Sequence, residues 1–275
     1  MSTTPRIFTT RAEMTAAALG QTGPVVLVPT MGALHEGHAD LVREAKRVPD
    51  GFVVVSIFVN PLQFGAGEDL DAYPRTLEAD VEKLSALGAD AVFAPSVAEM
   101  YPAGPRTTVH PGPLGEELEG AARPTHFAGV LTVVTKLLRI TRCTHAVFGE
   151  KDYQQLQLVR QLVSDLDLGV HVIGVPIARA ESGLALSSRN RYLSDSQARE
   201  AAILSAALRE GAAHHDADAV LAAARAVVDS VPEIEIDYLE LRSAELGEPR
   251  PGKNRLLIAA RVGGTRLLDN IEVTL

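Results

Sequence analysis

Short apolar runs alternate with longer amphipathic segments through the first two thirds of the chain. The apolar runs predict strands at 25–28, 52–59, 89–94, 145–148 and 170–175, and the segments with helical period are 39–48, 76–87, 127–140 and 153–166. Continuous apolar runs are typical of strands that are buried on both faces of a parallel sheet. Strands that alternate with helices predict βαβ units with right-handed crossovers. The pattern therefore predicts an α/β fold whose ligands bind beyond the carboxyl ends of the strands.

The pattern changes after residue 179. An alanine-rich helical stretch at 194–230 is followed by strand-like segments at 234–241, 255–262 and 265–273. A polar break containing His214 and His215 interrupts the helical stretch, and we assign these histidines no role. We therefore expect two domains: a Rossmann-like domain over residues 1–177, and a smaller α+β domain over residues 178–275 that covers the active site.

Composition narrows the class of protein. The chain has 275 residues, 46% of them hydrophobic, and a net charge of −9. The acidic balance argues against binding along a nucleic-acid backbone, which requires clustered basic residues. We find neither a membrane-spanning apolar run nor an apolar signal core at the N-terminus, and the single cysteine suits a reducing compartment. We expect a cytoplasmic protein with no nucleic-acid or membrane partner.

The segment 29–38 combines two glycines with His35 and His38 at the transition from a strand to a helix. The first N–H groups of a helix have no intrahelical acceptor, so this position favours an anion such as a nucleotide phosphate. Two other interpretations remain open at this point: the histidines are metal ligands, or they are polar residues at a helix start. A zinc site needs further ligands, and no cysteine or histidine follows at a recognisable spacing.

Three further polar segments follow predicted strands or lie in aperiodic sequence. Residues 149–152 join a glycine, a lysine and two carboxylates, and residues 186–191 supply hydroxyls and guanidinium groups. Residues 60–64 and the downstream Gln155 offer amides that suit a substrate with hydroxyls. A solvated turn, a basic loop and surface glutamines are the alternative interpretations. The chain contains neither the P-loop motif nor the G-x-G-x-x-G turn, which disfavours P-loop kinases and dinucleotide oxidoreductases.

Taken together, these motifs resemble the pantothenate synthetase (pantoate–β-alanine ligase) family of the HIGH-motif nucleotidyltransferase superfamily. The matching segments occur in the family's order at 29–38, 58–65, 71–75, 123–129, 148–155 and 183–190. The resemblance implies a homodimeric enzyme with a Rossmann-like N-terminal domain and a smaller α+β C-terminal domain. It implies that ATP, with Mg²⁺, and pantoate give pantoyl adenylate and pyrophosphate, after which β-alanine displaces AMP to form pantothenate.

The same resemblance assigns roles to individual residues. The implied catalytic groups, which bring positive charge or donors to the phosphates, are His35, His38, Lys151 and Arg189. The implied ATP contacts are Met31, Gly32, Ala33, Leu34, His35, Glu36, Gly37, His38, Gly149, Glu150, Lys151, Asp152, Ala178, Leu186, Ser187, Ser188 and Arg189. Pantoate is assigned to Gln63 and Gln155 and β-alanine to Gln63, with Asn60, Arg123 and His126 near the site. No residue is assigned to the metal.

Two other functions remain as alternatives. One is a different adenylate-forming enzyme with the same histidine motif, such as a small adenylyltransferase or a remnant of an aminoacyl-tRNA synthetase. An acidic chain without a basic tail disfavours the tRNA enzyme. The other is a regulatory nucleotide-binding protein, since a fold does not fix a function. The joint presence of His35, His38, Lys151 and Arg189 argues against that alternative.

Overall fold

The computed structural model describes residues 4–65, 67, 68 and 70–275. The chain divides into two compact units, one formed by Met1–Glu150 and Leu158–Val175 and the other by Lys151–Gln157 and Pro176–Leu275. The break after Val175 lies two residues before the predicted boundary. The segment Lys151–Gln157 groups with the second unit, whereas the sequence pattern put it in the first domain.

The first unit contains a parallel sheet with helices. Its strands are β1 (Arg6–Phe8), β2 (Val25–Thr30), β3 (Phe52–Ile57), β4 (Ala91–Phe93), β5 (His145–Gly149) and β6 (His171–Val175). The helices that precede or connect them are α1 (Arg11–Leu19), α2 (Glu36–Ala45), α3 (Leu77–Ala86), α4 (Val97–Met100), α5 (Glu119–Ala122), α6 (His126–Thr141) and α7 (Tyr153–Asp165). Short 3-10 helices lie at Pro61–Gln63, Pro113–Glu116 and Glu150–Asp152, and of the last of these and α7, residues Lys151–Gln157 are counted with the second unit.

The order of the strands locates the ligand-binding edge of this sheet. The order is β1-β4-β3-β2-β5-β6, and every pair is parallel. The chain proceeds from β2 outward to β3 and β4, and then returns to add β5 on the other side of β2. Ligands of parallel sheets bind at such a point of reversal, beyond the carboxyl ends of the strands. The predicted parallel α/β fold is confirmed.

Packing explains why the apolar runs form the central strands. The runs in β2 and β3 are buried on both faces, with Val26, Val28, Val53 and Val55 each showing 0% relative exposure. Side chains of α2 and α3, among them Val42 and Leu84, join the same core. A continuous apolar sequence is therefore required at these strands, because helices cover both sides of the sheet.

Two elements at the N-terminus were absent from the sequence prediction. Strand β1 has only three residues, and it pairs with β4 at the edge of the sheet. Helix α1 buries only Met14 and Ala18, so its hydrophobic period is weak. Its start carries a capping box in which Thr10 and Glu13 each accept a hydrogen bond from the other's backbone N–H.

The second unit is α+β, as predicted. Helices α8 (Asp195–Ala212) and α9 (Ala217–Val228) precede the antiparallel strands β7 (Ile234–Ser243), β8 (Lys253–Val262) and β9 (Thr265–Thr274). Their core includes Leu204 and Leu208 from α8, Val220 from α9, and Leu256 and Ile258 from β8. A further 3-10 helix lies at Ser188–Tyr192. Among the described residues of both units, no helix has the length and apolar character needed to span a membrane.

Candidate active site

Three segments that carry predicted site residues meet at the carboxyl edge of the parallel sheet. Residues 31–38 follow β2, residues 60–63 follow β3, and Gly149 ends β5. Because β2 lies between β3 and β5, the three segments are neighbours in the first unit. The predicted residues Lys151, Gln155 and 186–189 belong to the second unit.

A buried carboxylate on α3 holds the loop between β2 and α2. The side chain of Asp80 is 1% exposed, and its two oxygens accept hydrogen bonds from the N–H groups of Ala33 (2.9 Å) and Leu34 (2.8 Å). The Thr76 hydroxyl donates to the same carboxylate at 3.0 Å. The ammonium of Lys83 donates to the carbonyl of Leu34 at 2.6 Å. Two N–H groups and one carbonyl of this loop are therefore held by side chains of α3.

The backbone amides of residues 32–34, which precede α2, are already paired within the protein. The N–H groups of Ala33 and Leu34 point to Asp80, and the N–H of Gly32 donates to the Thr30 hydroxyl at 3.2 Å. Gly32 and Ala33 have φ values of +83° and +51°, in the left-handed region that glycine adopts without strain. Asp80 thus occupies two amides of this loop, and the anion site predicted at the first amides of α2 stays a prediction.

His35 and His38 form a reciprocal cap at the start of α2. The Nδ1 of His35 accepts from the Gly37 N–H at 3.1 Å, and the Nδ1 of His38 accepts from the His35 N–H at 3.3 Å. The two ring centroids are 4.1 Å apart. An imidazole nitrogen that accepts a hydrogen bond carries no proton, so each neutral ring has its proton on Nε2. The expectation that the first amides of α2 lack acceptors is therefore wrong for Gly37.

The amide of Gln63 belongs to a chain of polar side chains. Its Oε1 accepts from Asn60 Nδ2 at 3.1 Å, and its Nε2 donates to the sulfur of Met31 at 3.3 Å. Asn60 is 1% exposed, and its Oδ1 accepts from the hydroxyl of Tyr101 at 2.9 Å. The structure thus brings the predicted residues Met31, Asn60 and Gln63 together, and it adds a tyrosine that the sequence pattern did not indicate.

The carbonyl of Gln63 is held by two basic side chains. Arg123 Nη2 donates to it at 3.2 Å, and Nδ1 of His126 lies 2.9 Å from it. Arg123 also makes two hydrogen bonds with the carboxylate of Glu68, at 2.8 and 2.5 Å. This guanidinium lowers the pKa of the Glu68 carboxyl by hydrogen bonding. Arg123 and His126 therefore fix the main chain of Gln63.

The region of β5 and α7 presents charge and amides. In the second unit, the ammonium of Lys151 is 3.5 Å from an oxygen of Asp152, and the carbonyl of Lys151 accepts from Asn270 Nδ2 at 3.0 Å. Asp152 is exposed, and Gln155 is partly buried on the first turns of α7. Gly149 and Glu150, both partly buried, stand at the end of β5 in the first unit.

The segment with Ala178 and residues 186–189 forms a small ordered turn in the second unit. The N–H of Leu186 donates to the carbonyl of Ala178 at 2.9 Å, so these two predicted ATP contacts face each other. Ser187 caps the following 3-10 helix by accepting from the Arg189 N–H at 3.3 Å, and Ser188 begins that helix. Residues 186–191, for which a basic loop was the alternative interpretation, thus include a 3-10 helix. The side chain of Glu36, by contrast, is exposed and pairs with Arg43 at 2.6 Å on the surface of α2.

The structure also reveals residues that sequence reasoning missed. Asp80 and Tyr101 are the most important, since they hold the two segments that carry His35 and Gln63. One signal was available for Asp80, because its acidic side chain is four residues before Leu84 on the face of α3 that enters the core. Nothing in the spacing of Tyr101 indicated its partner, 41 residues away.

Comparison with known proteins decides the family of this chain. The model of the family described as Pantoate-beta-alanine ligase matches residues 6–272. The chain belongs to this family. It is 65% identical over 254 residues to a pantothenate synthetase of Nocardia farcinica, covering 91% of this chain and 80% of that protein. It is 62% identical over 272 residues to the pantothenate synthetase of Mycolicibacterium paratuberculosis, covering 97% and 88% respectively.

Solved structures of pantoate-beta-alanine ligases agree with this membership. The pantothenate synthetase of Thermus thermophilus superposes with a TM-score of 0.91 at 46% identity, covering 98% of this chain and all (100%) of that chain. A pantoate-beta-alanine ligase of Francisella tularensis, complexed with beta-gamma ATP and beta-alanine, superposes with a TM-score of 0.82 at 34% identity over 97% of both chains. The predicted family and the prediction of an enzyme are confirmed.

Proposed function

We propose that this enzyme condenses (R)-pantoate with β-alanine in two steps that use ATP. In the first step, a carboxylate oxygen of pantoate attacks the α-phosphorus of ATP, and the bond from that phosphorus to the pyrophosphate oxygen breaks. In the second step, the amine of β-alanine attacks the acyl carbon of pantoyl adenylate. The carbon–oxygen bond then breaks, AMP departs, and the nitrogen loses a proton to give pantothenate.

The observation that carries the proposal is the fixed tautomer of the two histidines at the carboxyl edge of the sheet. The first step brings a carboxylate against a phosphate, so it requires donors that are positioned before the reaction. Because the Nδ1 atoms of His35 and His38 accept backbone hydrogen bonds, their Nε2 protons supply such donors without a net charge on the rings. Lys151 and Arg189 supply the formal positive charge in this proposal.

We place the binding site for pantoate at Gln63, with Gln155 as a second contact. Gln63 also lies near β-alanine in this proposal. The amide of Gln63 turns its Nε2 donor away from Asn60. An amide donor binds a hydroxyl or a carboxylate without adding a charge. The beta-gamma ATP and beta-alanine bound to the Francisella tularensis relative support ATP and β-alanine as substrates of this chain as well.

Magnesium is proposed as part of the ATP substrate. Among the residues that the structure describes, no three His, Cys, Asp or Glu side chains are grouped so as to hold a metal. Mg²⁺ in ATP enzymes is held mostly by phosphate oxygens, waters and one or two carboxylates, so such a cluster is not required. Asp152, exposed beside Lys151, fits the contact to a magnesium-bound water or a ribose hydroxyl.

Pantoate labelled with ¹⁸O in its carboxylate tests the adenylate step. If the carboxylate attacks phosphorus, one labelled oxygen remains on AMP after β-alanine has displaced it. Mass spectrometry of the AMP therefore reports the intermediate. Unlabelled AMP formed together with labelled pantothenate would contradict the proposal.

A homodimer and a cytoplasmic location stay predictions from the family resemblance. Light scattering at assay concentration tests the prediction of a homodimer.

A further inference from the structure

Tyr101 lies at the end of the polar chain that reaches Gln63, and the chain defines the orientation of each amide. Asn60 Nδ2 donates to Gln63 Oε1 and also to the carbonyl of Gly129, each at 3.1 Å. Asn60 Oδ1 accepts from the hydroxyl of Tyr101 at 2.9 Å and, at the longer distance of 3.4 Å, from the Leu62 N–H. Because the groups that face Nδ2 are acceptors and the groups that face Oδ1 are donors, the amide of Asn60 has a single favourable orientation.

The orientation of Asn60 determines the orientation of Gln63. With Asn60 Nδ2 facing it, Gln63 must present Oε1 to Asn60, and its Nε2 then points in the opposite direction, toward Met31. A rotated Asn60 would place an oxygen against Gln63 Oε1 and would favour the reversed glutamine. Gln63 would then present an acceptor where the proposed function needs a donor.

Close packing of α6 supports this arrangement. A Cβ atom on Gly129 would lie 2.2 Å from the carbonyl oxygen of Leu62 and 2.7 Å from the nitrogen of Gln63. Only a glycine allows the helix to approach the 61–63 turn so closely that Asn60 reaches the helix carbonyl. The acceptor for one Asn60 hydrogen is thus built into the backbone, which leaves Tyr101 as the side-chain donor that completes the set.

Tyr101 is suited to act as a permanent donor. Its side chain is 9% exposed, and burial raises the pKa of its hydroxyl to about 12, so the proton is retained at any assay pH. The ring packs near Phe58, with centroids 6.2 Å apart, and the ammonium of Lys136 lies 5.6 Å from the ring centroid. These contacts place the ring independently of the hydroxyl, so a phenylalanine at this position retains them.

We propose that Tyr101 is a positioning residue for pantoate: through Asn60 it fixes the end of the Gln63 amide that faces the substrate. This inference rests on the proposed function, in which Gln63 binds pantoate. It assigns Tyr101 no contact with substrate. Its effect passes through Gln63 and leaves the binding of ATP unchanged, which distinguishes it from a general contribution to folding.

The substitution Tyr101→Phe tests the proposal by steady-state kinetics. It removes the main donor to Asn60 Oδ1, which keeps only the long hydrogen bond from Leu62. The free energy lost at this buried acceptor corresponds to roughly a 5- to 20-fold loss of affinity for pantoate. We expect KM for pantoate to rise by about that factor, whereas kcat and KM for ATP stay within about twofold of the unaltered enzyme. Thr15→Val is the matched control, because it removes a hydroxyl that donates to the carbonyl of Ile140 in the same unit.

A double-mutant cycle tests the path through Gln63. In a Gln63→Ala background, Tyr101→Phe should change KM for pantoate by less than about twofold, since its target amide is gone. The proposal is overturned if the single variant leaves KM for pantoate unchanged, if the full effect persists in the Gln63→Ala background, or if Thr15→Val raises the same KM equally. Absence of pantothenate synthesis by the unaltered enzyme would instead refute the proposed function.

A second variant covers the case in which Tyr101→Phe does not fold. Asn60→Asp replaces the donor that faces Gln63 with an oxygen, which favours the reversed glutamine. We expect KM for pantoate to rise more than about tenfold while KM for ATP is retained. An unchanged KM for pantoate in a folded Asn60→Asp variant would overturn the proposal.

Discussion

Replacing Asp80 with asparagine removes one anchor of the loop that carries His35 and His38. The carboxylate accepts two backbone hydrogen bonds, from Ala33 at 2.9 Å and from Leu34 at 2.8 Å. Asparagine retains one acceptor oxygen and places an NH₂ group opposite the other N–H donor. The substitution therefore leaves one buried donor without an acceptor, in a site that is 1% exposed.

The size of the effect follows from these contacts. A hydrogen bond to a charged group contributes about 1.5–3 kcal/mol, and an unsatisfied buried donor adds a cost, while the neutral amide avoids part of the desolvation of the carboxylate. We expect the free energy of unfolding to fall by about 2–4 kcal/mol. The loop that positions the two histidines is then held less firmly, so the histidines are displaced from the reacting groups. We therefore also expect kcat to fall about 10- to 100-fold.

Urea unfolding and steady-state kinetics measure both effects. Asp90→Asn is a matched control, because Asp90 also accepts a backbone N–H, from Val53 at 2.8 Å, and pairs with Lys46 at 3.1 Å. Asp90 precedes β4 and holds no part of the histidine loop, so this control should keep its kcat. An Asp80→Asn variant with unchanged stability and normal kcat would refute the reasoning. An equal loss of kcat in Asp90→Asn would do so as well.

Three further substitutions or reactions test other parts of the account. Lys151→Ala should lower kcat about 10²- to 10³-fold, since it removes a preorganised charge; near-normal turnover would exclude Lys151 from the mechanism. Gln63→Glu should raise KM for pantoate by placing a like charge near a carboxylate, and an unchanged KM would contradict that placement. Burial raises the pKa of the Cys143 thiol to about 11, so an aromatic disulfide reagent should react with it only on unfolding; rapid reaction of the native protein would contradict this.

The central strands and helices could be predicted from the sequence because burial on both faces leaves a strong periodic signal. Helix α3, predicted at 76–87, spans Leu77–Ala86, and β9, predicted at 265–273, spans Thr265–Thr274. Strand β1 was missed because three edge residues carry no period. Helix α1 was missed because its apolar face is narrow. The spacing of Thr10 and Glu13 matches the capping-box signature, and this signal was available in the sequence.

Site residues that belong to one short segment could be predicted from the sequence. Contacts between residues that are distant in the sequence could not. The spacing of His35 and His38 placed both at the start of α2, but histidine is not a usual N-cap, so their hydrogen bonds to the backbone were not foreseen. Leu34 and Asp80 are 46 positions apart in the sequence, so no local pattern indicated the contact in which Asp80 accepts from the loop amides. Such long-range pairs depend on how helices pack on the sheet, which no local pattern encodes.

Exchange of labelled pyrophosphate into ATP tests the central claim most directly. The assay contains Mg²⁺ and pantoate but no β-alanine, so only the first half-reaction can run. The account predicts exchange that requires pantoate, followed by release of AMP once β-alanine is added. ATP binding measured by calorimetry without pantoate-dependent exchange would contradict the account and would favour a nucleotide-binding regulatory protein.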